Sequence, residues 1–318
     1  MLKSKRILFI APEYFNYYIL IKHSLESEGA YVDLFYNRPT SKLSKFFFVF
    51  NQWIYKKINQ CYFRRLLQGA SQDYDYILII RADLVPVDFI KKLRNKYSGA
   101  KFIQYIWDDI SLFPKLLDSF QFFDRILSYE PGDCNKYGLI FRPFFFVIQY
   151  KTNDCTHQYV YDMFFIGSFH TDRLQVLENV KKLNPQINCY MHFYINPVTF
   201  LLNKAIWSKR SFFRFRKMKY AEMIGTMKNS RAILDIQNIS QNGLTTRIFE
   251  ALGSRSKIIT TNMNILDYEF YNGNNIYLID RNNPLIENSW LNLPYEDYDT
   301  ELINKYHIKS WINEVFDI

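Results

Sequence analysis

The chain has 318 residues, of which 48% are hydrophobic and 22% charged, so it is long enough for two ordinary domains with a core in each. This composition excludes a disordered chain, and the presence of only 10 glycines and 10 prolines excludes a collagen-like or linker-dominated one. Forty basic and 31 acidic residues give a net charge of +9, which favours an anionic partner such as nucleic acid, anionic lipid or a phosphorylated small molecule.

The sequence shows no segment typical of export or of membrane insertion. Its basic N-terminus leads into an apolar run that Pro12 and Glu13 interrupt, which is too short for a signal peptide. No stretch reaches the roughly 18 apolar residues of a membrane span. The four cysteines form no CxxC pair, so a reducing cytosol fits better than a disulfide framework. We expect a cytoplasmic protein that is soluble or rests on the inner face of the cytoplasmic membrane without crossing it.

Short β-branched and aromatic runs alternate with helical patterns along the first half of the chain. These runs predict strands at 6–11, 31–36, 76–80, 102–107 and 125–129. Amphipathic segments such as 86–96 lie between them, and a helix that ends at Gly29 precedes the second strand. Continuous apolar strands separated by helices are typical of a parallel, doubly wound sheet.

The same pattern restarts in the second half, with strands predicted at 161–167, 188–195, 232–236, 257–261 and 276–279. A polar segment at 149–158 is predicted to be a linker, and the stretch 300–316 is predicted to be helical. The sequence therefore predicts an α/β protein with two Rossmann-like parallel-sheet domains facing a cleft. We expect an N-terminal domain at 1–150, a C-terminal domain at 151–300, and a final helix at 301–318 that packs back toward the first domain.

Two stretches combine basic and aromatic residues and contain no acidic residue. The first, 34–72, holds seven basic residues, and the second, 204–219, holds seven more. Such helices suit a membrane interface, although a core helix with a solvated basic face is the alternative. We expect the first stretch, at 42–65, to meet an anionic membrane surface, with the second as the weaker candidate. Runs of phenylalanine such as 46–48 suit insertion into lipid better than stacking along a strand, so nucleic acid is not expected.

The most informative segment is 229–260, where a predicted strand ends in a polar loop and a helix follows. At the start of that helix stand Asn242, Gly243, Leu244, Thr245 and Thr246. Free backbone N–H groups at a helix N-terminus form a ready anion site, and Thr245 or Thr246 can cap the helix. Arg247 and Glu250 lie three residues apart, away from the apolar stripe, so a surface ion pair on an ordinary helix is the alternative interpretation.

This segment resembles the C-terminal signature of GT-B glycosyltransferases, in which a Glu-Gly-x-Gly run leads to a Glu-Ala-x-x-x-Gly helix. Gly243 corresponds to the first glycine, and 250–252 corresponds to the Glu-Ala-Met element. The resemblance implies that the loop 242–246 holds the donor diphosphate, that Glu250 binds the nucleotide ribose, and that Arg247 adds positive charge. The first glutamate of the family signature is Asn242 here, so the resemblance does not imply a retaining mechanism.

A second element, 162–173, is a strand followed by a turn of small residues and a helix. It is similar to the first strand and turn of the C-terminal domain in CgeB-like bacterial glycosyltransferases, which are also found among capsule and lipopolysaccharide enzymes. The similarity implies that Gly167, Ser168, His170 and Arg173 face the nucleotide diphosphate. A structural role for His170 is the alternative.

The resemblance leaves acceptor binding to the N-terminal half, where a base or a group that stabilises the transition state is needed. Four acidic residues follow predicted strands, where open α/β sheets place ligands: Glu13, Asp83, Asp108 and Asp109. Several inverting GT-B enzymes hold their base after the first strand, which favours Glu13. Each of the four could instead cap a helix, and Asp109 fits that role well.

Several motifs are absent from the sequence. No GxGxxG follows the first predicted strand, and there is no P-loop. Asp-Tyr-Asp triplets at 73–75 and 297–299 do not follow a strand as a metal-binding triplet would, and the five histidines do not cluster. We expect no required metal or cofactor beyond a nucleotide-sugar donor, with the phosphates neutralised by backbone N–H groups and arginine.

These expectations converge on transfer of a sugar from a nucleotide-sugar to a surface-glycan acceptor carried on a lipid. Two alternatives stay open. One is a nucleotide-sugar epimerase of the same fold, and the other is a non-catalytic scaffold at a membrane surface.

Overall fold

The computed structural model describes residues 2–71, 73–147, 158–170 and 172–318. These residues divide into two compact units, Met1–Pro143 with Trp311–Ile318, and Phe144–Ser310. Each unit carries its own six-stranded sheet, which confirms the prediction of two separate parallel sheets. Most of the predicted linker 149–158 lies outside the described residues.

The first unit is built on an all-parallel sheet in the order β2-β1-β3-β4-β5-β6. The strands are β1 Arg6–Ala11, β2 Tyr31–Tyr36, β3 Tyr76–Ile80, β4 Lys101–Ile106, β5 Arg125–Ser128 and β6 Ile140–Phe141. The chain changes direction across the sheet between β1 and β3, which makes the carboxyl ends of these two strands the topological switch point.

Helices α1 to α5 lie between or after the strands of the first sheet, and 3₁₀ segments follow β3, at Ala82–Leu84, and β4, at Ile110–Leu112 and Pro114–Phe122. The helices are α1 Tyr17–Ser27, α2 Lys42–Phe50, α3 Gln52–Gly69, α4 Val87–Lys96 and α5 Pro131–Tyr137. The predicted end of α1 at Gly29 is two residues late, because Gly29 itself takes a φ of 88° in the turn that leads to β2. Apolar side chains of α3 and α4 pack on β1 and β3 to form the core.

The second unit repeats the design with the order β12-β11-β10-β7-β8-β9. The strands, again all parallel, are β7 Tyr161–Ser168, β8 Cys189–Tyr194, β9 Phe213–Arg214, β10 Ser230–Asp235, β11 Lys257–Thr260 and β12 Ile276–Leu278. This is the strand order of a Rossmann domain, and its switch point lies between the carboxyl ends of β7 and β10.

Helices α6 to α12 complete the second half of the chain. They are α6 Arg173–Leu183, α7 Pro197–Leu202, α8 Tyr220–Lys228, α9 Thr246–Gly253, α10 Asn288–Asn292, α11 Thr300–Asn304 and α12 Ile308–Phe316. The stretch 300–316, predicted to be helical, forms the two helices α11 and α12, with a break at His307, which forms a β-bridge with Phe146. From Trp311 onward the chain belongs to the first unit, where the Trp311 ring lies 4.9 Å from that of Tyr105.

None of the helices in the described part of the chain has the length and apolar character that crossing a bilayer requires.

Candidate functional site

At the switch point of the second sheet, Arg173 joins the ends of β7 and β10. Its Nη1 donates to the carbonyl oxygen of Ser168 at 2.9 Å, and its Nε donates to that of Ile236 at 2.9 Å. Gly167 makes room for this arrangement, because a Cβ there would lie 2.8 Å from the Phe165 ring and 3.1 Å from the Arg173 guanidinium. Arg173, predicted to face a diphosphate, is thus buried and bound to backbone carbonyls, and these contacts position the strand ends.

The last residue of β10, Asp235, is the buried anchor of the helix that follows. Its Oδ1 accepts a hydrogen bond from the Thr245 hydroxyl at 2.8 Å and lies 3.2 Å from Nε of Arg247. Its Oδ2 lies 3.4 Å from the Thr260 hydroxyl at the end of β11. A buried carboxylate needs such partners, and their arrangement fixes the first turn of α9 against the sheet edge.

The capping role predicted for Thr245 is not the one observed. Thr245 does occupy the N-cap position of α9, but its hydroxyl donates to Asp235 and caps no backbone N–H. Thr246 is the first helical residue and Leu244 is buried. The helix therefore presents its positive end without a side-chain cap, at the place where the sequence predicts an anion.

The loop before α9 is held by two asparagines that follow β11. Nδ2 of Asn262 donates to the carbonyl oxygens of Asn242 and Gly243 at 3.1 and 3.3 Å, and Nδ2 of Asn264 donates to that of Asn242 at 3.1 Å. Because these carbonyl oxygens accept hydrogen bonds from residues after β11, the conformation of the loop is fixed by the neighbouring segment.

Glu250 is not part of a surface ion pair. Its side chain is only 1% exposed, and its Oε1 accepts a hydrogen bond from the hydroxyl of Tyr220, at the start of α8, at 2.8 Å. Arg247 pairs with Asp235 instead. The alternative interpretation of an exposed Arg247–Glu250 pair is therefore wrong. Glu250 is a buried residue of α9 that links this helix to α8.

Arg281, which follows β12, ties together the carboxyl ends of several strands. It forms a bidentate ion pair with Asp172, at 2.8 and 2.9 Å, and so reaches the turn after β7. The same guanidinium donates to the Gln237 side chain at 3.1 Å and to the Thr261 hydroxyl at 2.9 Å, after β10 and β11. Arg281 therefore links the residues that follow β7, β10 and β11.

The pKa of His170 reflects its burial and the charges at the switch point of the second sheet. Burial comes first among the causes that lower its pKa to about 4, followed by the positive charges of Arg173, Arg247 and Arg281, while Asp172 acts in the opposite direction. The imidazole is therefore neutral near pH 7. The three arginines that act on His170 give this part of the second unit a local positive potential, which suits a negatively charged ligand.

At the switch point of the first sheet, Arg81 follows β3 in a strained conformation. Its φ of 57° lies in the left-handed region, which is costly for a residue with a Cβ. The buried side chain of Asn37, just after β2, donates to the Arg81 carbonyl at 3.0 Å and helps to hold it. Phe15 and Asn16, after β1, also have positive φ, so backbone strain is concentrated at this edge, as it often is at functional sites.

The Arg81 guanidinium bridges two of the predicted acidic residues. It contacts both carboxylate oxygens of Asp83, at 3.2 and 3.1 Å, and Oδ2 of Asp108, at 3.1 Å. The Asp83 side chain is 5% exposed and that of Asp108 is 29% exposed. Burial and the negative charges of Asp83 and Asp109 raise the pKa of Asp108 against the opposing effect of Arg81.

The other two acidic candidates have different surroundings. Oδ1 of Asp109 accepts a hydrogen bond from the backbone N–H of Ser111 at 2.7 Å, so Asp109 caps the 3₁₀ turn Ile110–Leu112. The Glu13 side chain is 50% exposed and lies 3.7 Å from Nζ of Lys45. Asp108 combines partial exposure with a raised pKa, which suits proton transfer.

Sequence reasoning missed Asp235, Arg281 and Arg81. A charged residue at the end of an apolar strand is a usable signal for Asp235, and the position directly after a strand is one for Arg81. Arg281 lies in a polar loop more than a hundred residues from Asp172, and no local pattern marks that pairing. Within the described ranges, no three His, Cys, Asp or Glu side chains are grouped to hold a metal ion.

No family model matches the chain, and no curated protein matches it either. Solved structures do match. AviGT4, a glycosyltransferase involved in avilamycin A biosynthesis, superimposes with a TM-score of 0.54 at 9% identity, over 98% of this chain and 97% of that chain. TarM matches with a TM-score of 0.51 at 14% identity, over 80% of this chain and 57% of that chain. CalG4, the calicheamicin glycosyltransferase, has a TM-score of 0.46 at 10% identity, over 99% of this chain and 98% of that chain.

Such low identities speak to the fold alone. With two Rossmann-like parallel sheets, the chain has the two-domain α/β fold of GT-B glycosyltransferases.

Proposed function

We propose that this chain is a glycosyltransferase that moves a sugar from a nucleotide-sugar to a hydroxyl group of a glycan acceptor. The observation that carries the proposal is the set of groups at the switch point of the second sheet. There α9 begins without a side-chain cap, and the positive charges of Arg173, Arg247 and Arg281 act on His170. This combination supports a diphosphate ligand, since backbone N–H groups and arginines are the groups that bind phosphate oxygens.

The donor would lie with its diphosphate at the start of α9. The backbone of Gly243 to Thr246 and the side chain of Arg247 would neutralise the phosphates, with Gly167, Ser168 and His170 on the β7 side. Arg173, Asp235 and Arg281 would hold these groups in place. Glu250 would bind the nucleotide ribose, with its Oε1 held by the hydroxyl of Tyr220.

In the transfer step, the bond between the anomeric carbon and the diphosphate oxygen breaks and a bond to the acceptor oxygen forms. The leaving diphosphate keeps the electron pair, and Arg247 and the N-terminus of α9 stabilise its charge. We assign the acceptor proton to the carboxylate of Asp108. The Arg81 guanidinium orients this carboxylate, and Asp83 holds Arg81 in turn.

The acceptor and its location belong to the same proposal. We propose a lipid-linked surface glycan, such as one of capsule or lipopolysaccharide synthesis, used at the inner face of the cytoplasmic membrane. The resemblance of residues 162–173 to CgeB-like enzymes and the basic, aromatic stretch at 42–65 support this assignment. The transfer is proposed to be metal-independent, with arginine and backbone N–H groups in place of a divalent cation.

The test is a panel of nucleotide-sugars incubated with the protein, with and without glycolipid acceptors and with and without EDTA. We expect one donor to release its nucleotide in an acceptor-dependent manner, with the same rate in EDTA. Acceptor-independent conversion of the sugar would identify an epimerase instead, and absence of binding by every nucleotide would identify a scaffold.

Two variants connect the expected activity to the site. Arg247→Gln should weaken binding of the donor by about tenfold or more, because a charge-assisted hydrogen bond to phosphate contributes about 1.5–3 kcal/mol. Arg231→Gln, which removes an exposed arginine of the same unit that pairs with Asp162, is the matched control and should leave donor binding unchanged.

A further inference from the structure

Helices α2 and α3 present large apolar side chains to solvent. Phe50 is 71% exposed and Trp53 is 70% exposed, and the Phe46 and Phe50 rings lie 4.6 Å apart. The exposed apolar side chains here are Leu43, Phe46, Val49, Phe50 and Trp53, which we call the apolar row. Together with the basic residues of 38–65, the apolar row forms what we name the α2–α3 surface. Adjacent exposed apolar side chains of this size usually mark an interaction site.

The core of the first unit does not need these side chains. On α2 the side facing the domain is marked by the buried Ser44, whose hydroxyl donates to the Pro39 carbonyl at 2.9 Å. On α3 the buried side chains are Tyr55, Phe63 and Leu66, and the Phe63 ring packs 4.6 Å from that of Phe89. The helices are thus fastened by one face, and the apolar row lies outside that face.

Positive charge surrounds the apolar row. All seven basic residues between 34 and 72 are exposed, and this stretch of sequence contains no acidic residue. In the part of the chain that the structure describes, Lys45 is the member of this set that pairs with a carboxylate, Glu13, at 3.7 Å. Nζ of Lys57 lies 5.8 Å from the centre of the Trp53 ring, so cations and aromatic rings are interleaved.

We infer that the α2–α3 surface docks the protein on an anionic lipid bilayer. Aromatic and aliphatic side chains of this kind enter the boundary between headgroups and acyl chains, while lysines and arginines meet the headgroup charge. A second copy of the chain fits less well, because a symmetric contact would place the same positive surface against itself. Nucleic acid would satisfy the cations, but Leu43 and Val49 would gain nothing from phosphates or stacked bases.

The second basic stretch, 204–219, differs in its surroundings. Lys209 pairs with Glu178, and Arg216 forms a bidentate pair with Glu222 at 3.0 and 2.9 Å. Part of its positive charge is therefore balanced within the second unit. For this reason the inference is confined to the α2–α3 surface, and it does not depend on the transfer reaction.

Vesicle flotation of the whole chain tests the inference. We expect binding to phosphatidylcholine vesicles that contain phosphatidylglycerol, weaker binding at high salt, and little binding to phosphatidylcholine alone. The double variant Lys56→Glu, Lys57→Glu should weaken binding by about tenfold or more. The double variant Phe46→Ser, Phe50→Ser should weaken it to a similar degree at both salt concentrations, because the loss is apolar.

Matched controls separate docking from misfolding. Lys91→Glu with Lys92→Glu makes the same charge change on the exposed face of α4, and Tyr31→Ser removes an exposed ring at the start of β2. Both should bind vesicles as the parent does. In a Trp207→Phe background, emission from the exposed Trp53 should shift to shorter wavelength with anionic vesicles.

Three results would overturn the inference. One is equal binding of the parent and the Lys56, Lys57 variant to anionic vesicles. Another is binding of an oligonucleotide, lost in that variant, without any vesicle binding. The third is a dimer in solution that the Phe46, Phe50 variant abolishes, again without vesicle binding.

Discussion

Arg247 forms its ion pair with Asp235, so that a buried carboxylate at the end of β10 holds the first turn of α9. Asp235→Asn should lower the free energy of unfolding by about 3 kcal/mol, because it leaves a largely buried guanidinium without its counter-ion. Urea denaturation measures this. Glu269→Gln, which breaks the exposed pair with Lys305, is the control and should cost no more than about 1 kcal/mol. Equal costs for the two variants would show that Asp235 is not an anchor.

Gly167→Ala places a methyl group against the Phe165 ring and the Arg173 guanidinium. We expect a loss of about 1–3 kcal/mol in the free energy of unfolding, since overpacking a rigid site forces its neighbours to move. Gly225→Ala is the matched control on α8, where a Cβ meets no atom within 4 Å. It should be neutral or stabilise the protein by up to about 1 kcal/mol, because alanine favours a helix interior. The prediction fails if both alanines have the same effect.

His170 should titrate near pH 4 in the folded protein, because burial and three arginines lower its pKa. The unfolded chain takes up this proton near pH 6.5, so the contribution to stability is complete above that pH and is lost as the pH falls toward 4. NMR titration of the imidazole signals, assigned with His170→Gln, measures the value. His23→Gln, at an exposed position of α1, is the control.

The same titration reports on ligand binding. A nucleoside diphosphate bound at the start of α9 should raise the pKa of His170, because its negative charge offsets the arginines. A pKa of His170 near the ordinary value without ligand, or one that a bound nucleotide leaves unchanged, would contradict the proposed positive site around His170.

Asp108→Asn should lower the transfer rate by about 10²–10⁴-fold with little change in donor affinity, because it removes the proposed proton acceptor. Since the pKa of Asp108 is raised, the acid limb of the parent's rate profile should lie above the ordinary aspartate value of about 3.9. Glu13→Gln should keep most of the activity. If Glu13→Gln is inactive and Asp108→Asn is active, the base follows the first strand instead.

The strands were predictable because each is a continuous apolar run, which a sheet buried on both faces requires. The predicted bounds of β1, β2 and β3 match the structure, and those of the other main strands differ by one or two residues at one or both ends. The short edge strands β6 and β9 carry too few residues for a periodic signal.

The site was predictable only in part. The loop before α9 could be predicted because glycine and threonine near one another in sequence mark the start of a helix. The pairing of Asp235 with Arg247 and that of Asp172 with Arg281 depend on which strands become neighbours, and no local pattern encodes them. The strained conformation of Arg81 could not be predicted for the same reason, because its partners Asn37 and Asp108 follow other strands.

The most direct test of the proposed donor site is a crystal structure with the nucleoside diphosphate that binds most tightly in the donor panel. We predict that the phosphates lie within hydrogen-bond distance of the backbone N–H groups of 243–246 and of the Arg247 guanidinium, with His170 beside them. Phosphates bound anywhere else, including the ends of β1 and β3 in the first unit, would contradict the account.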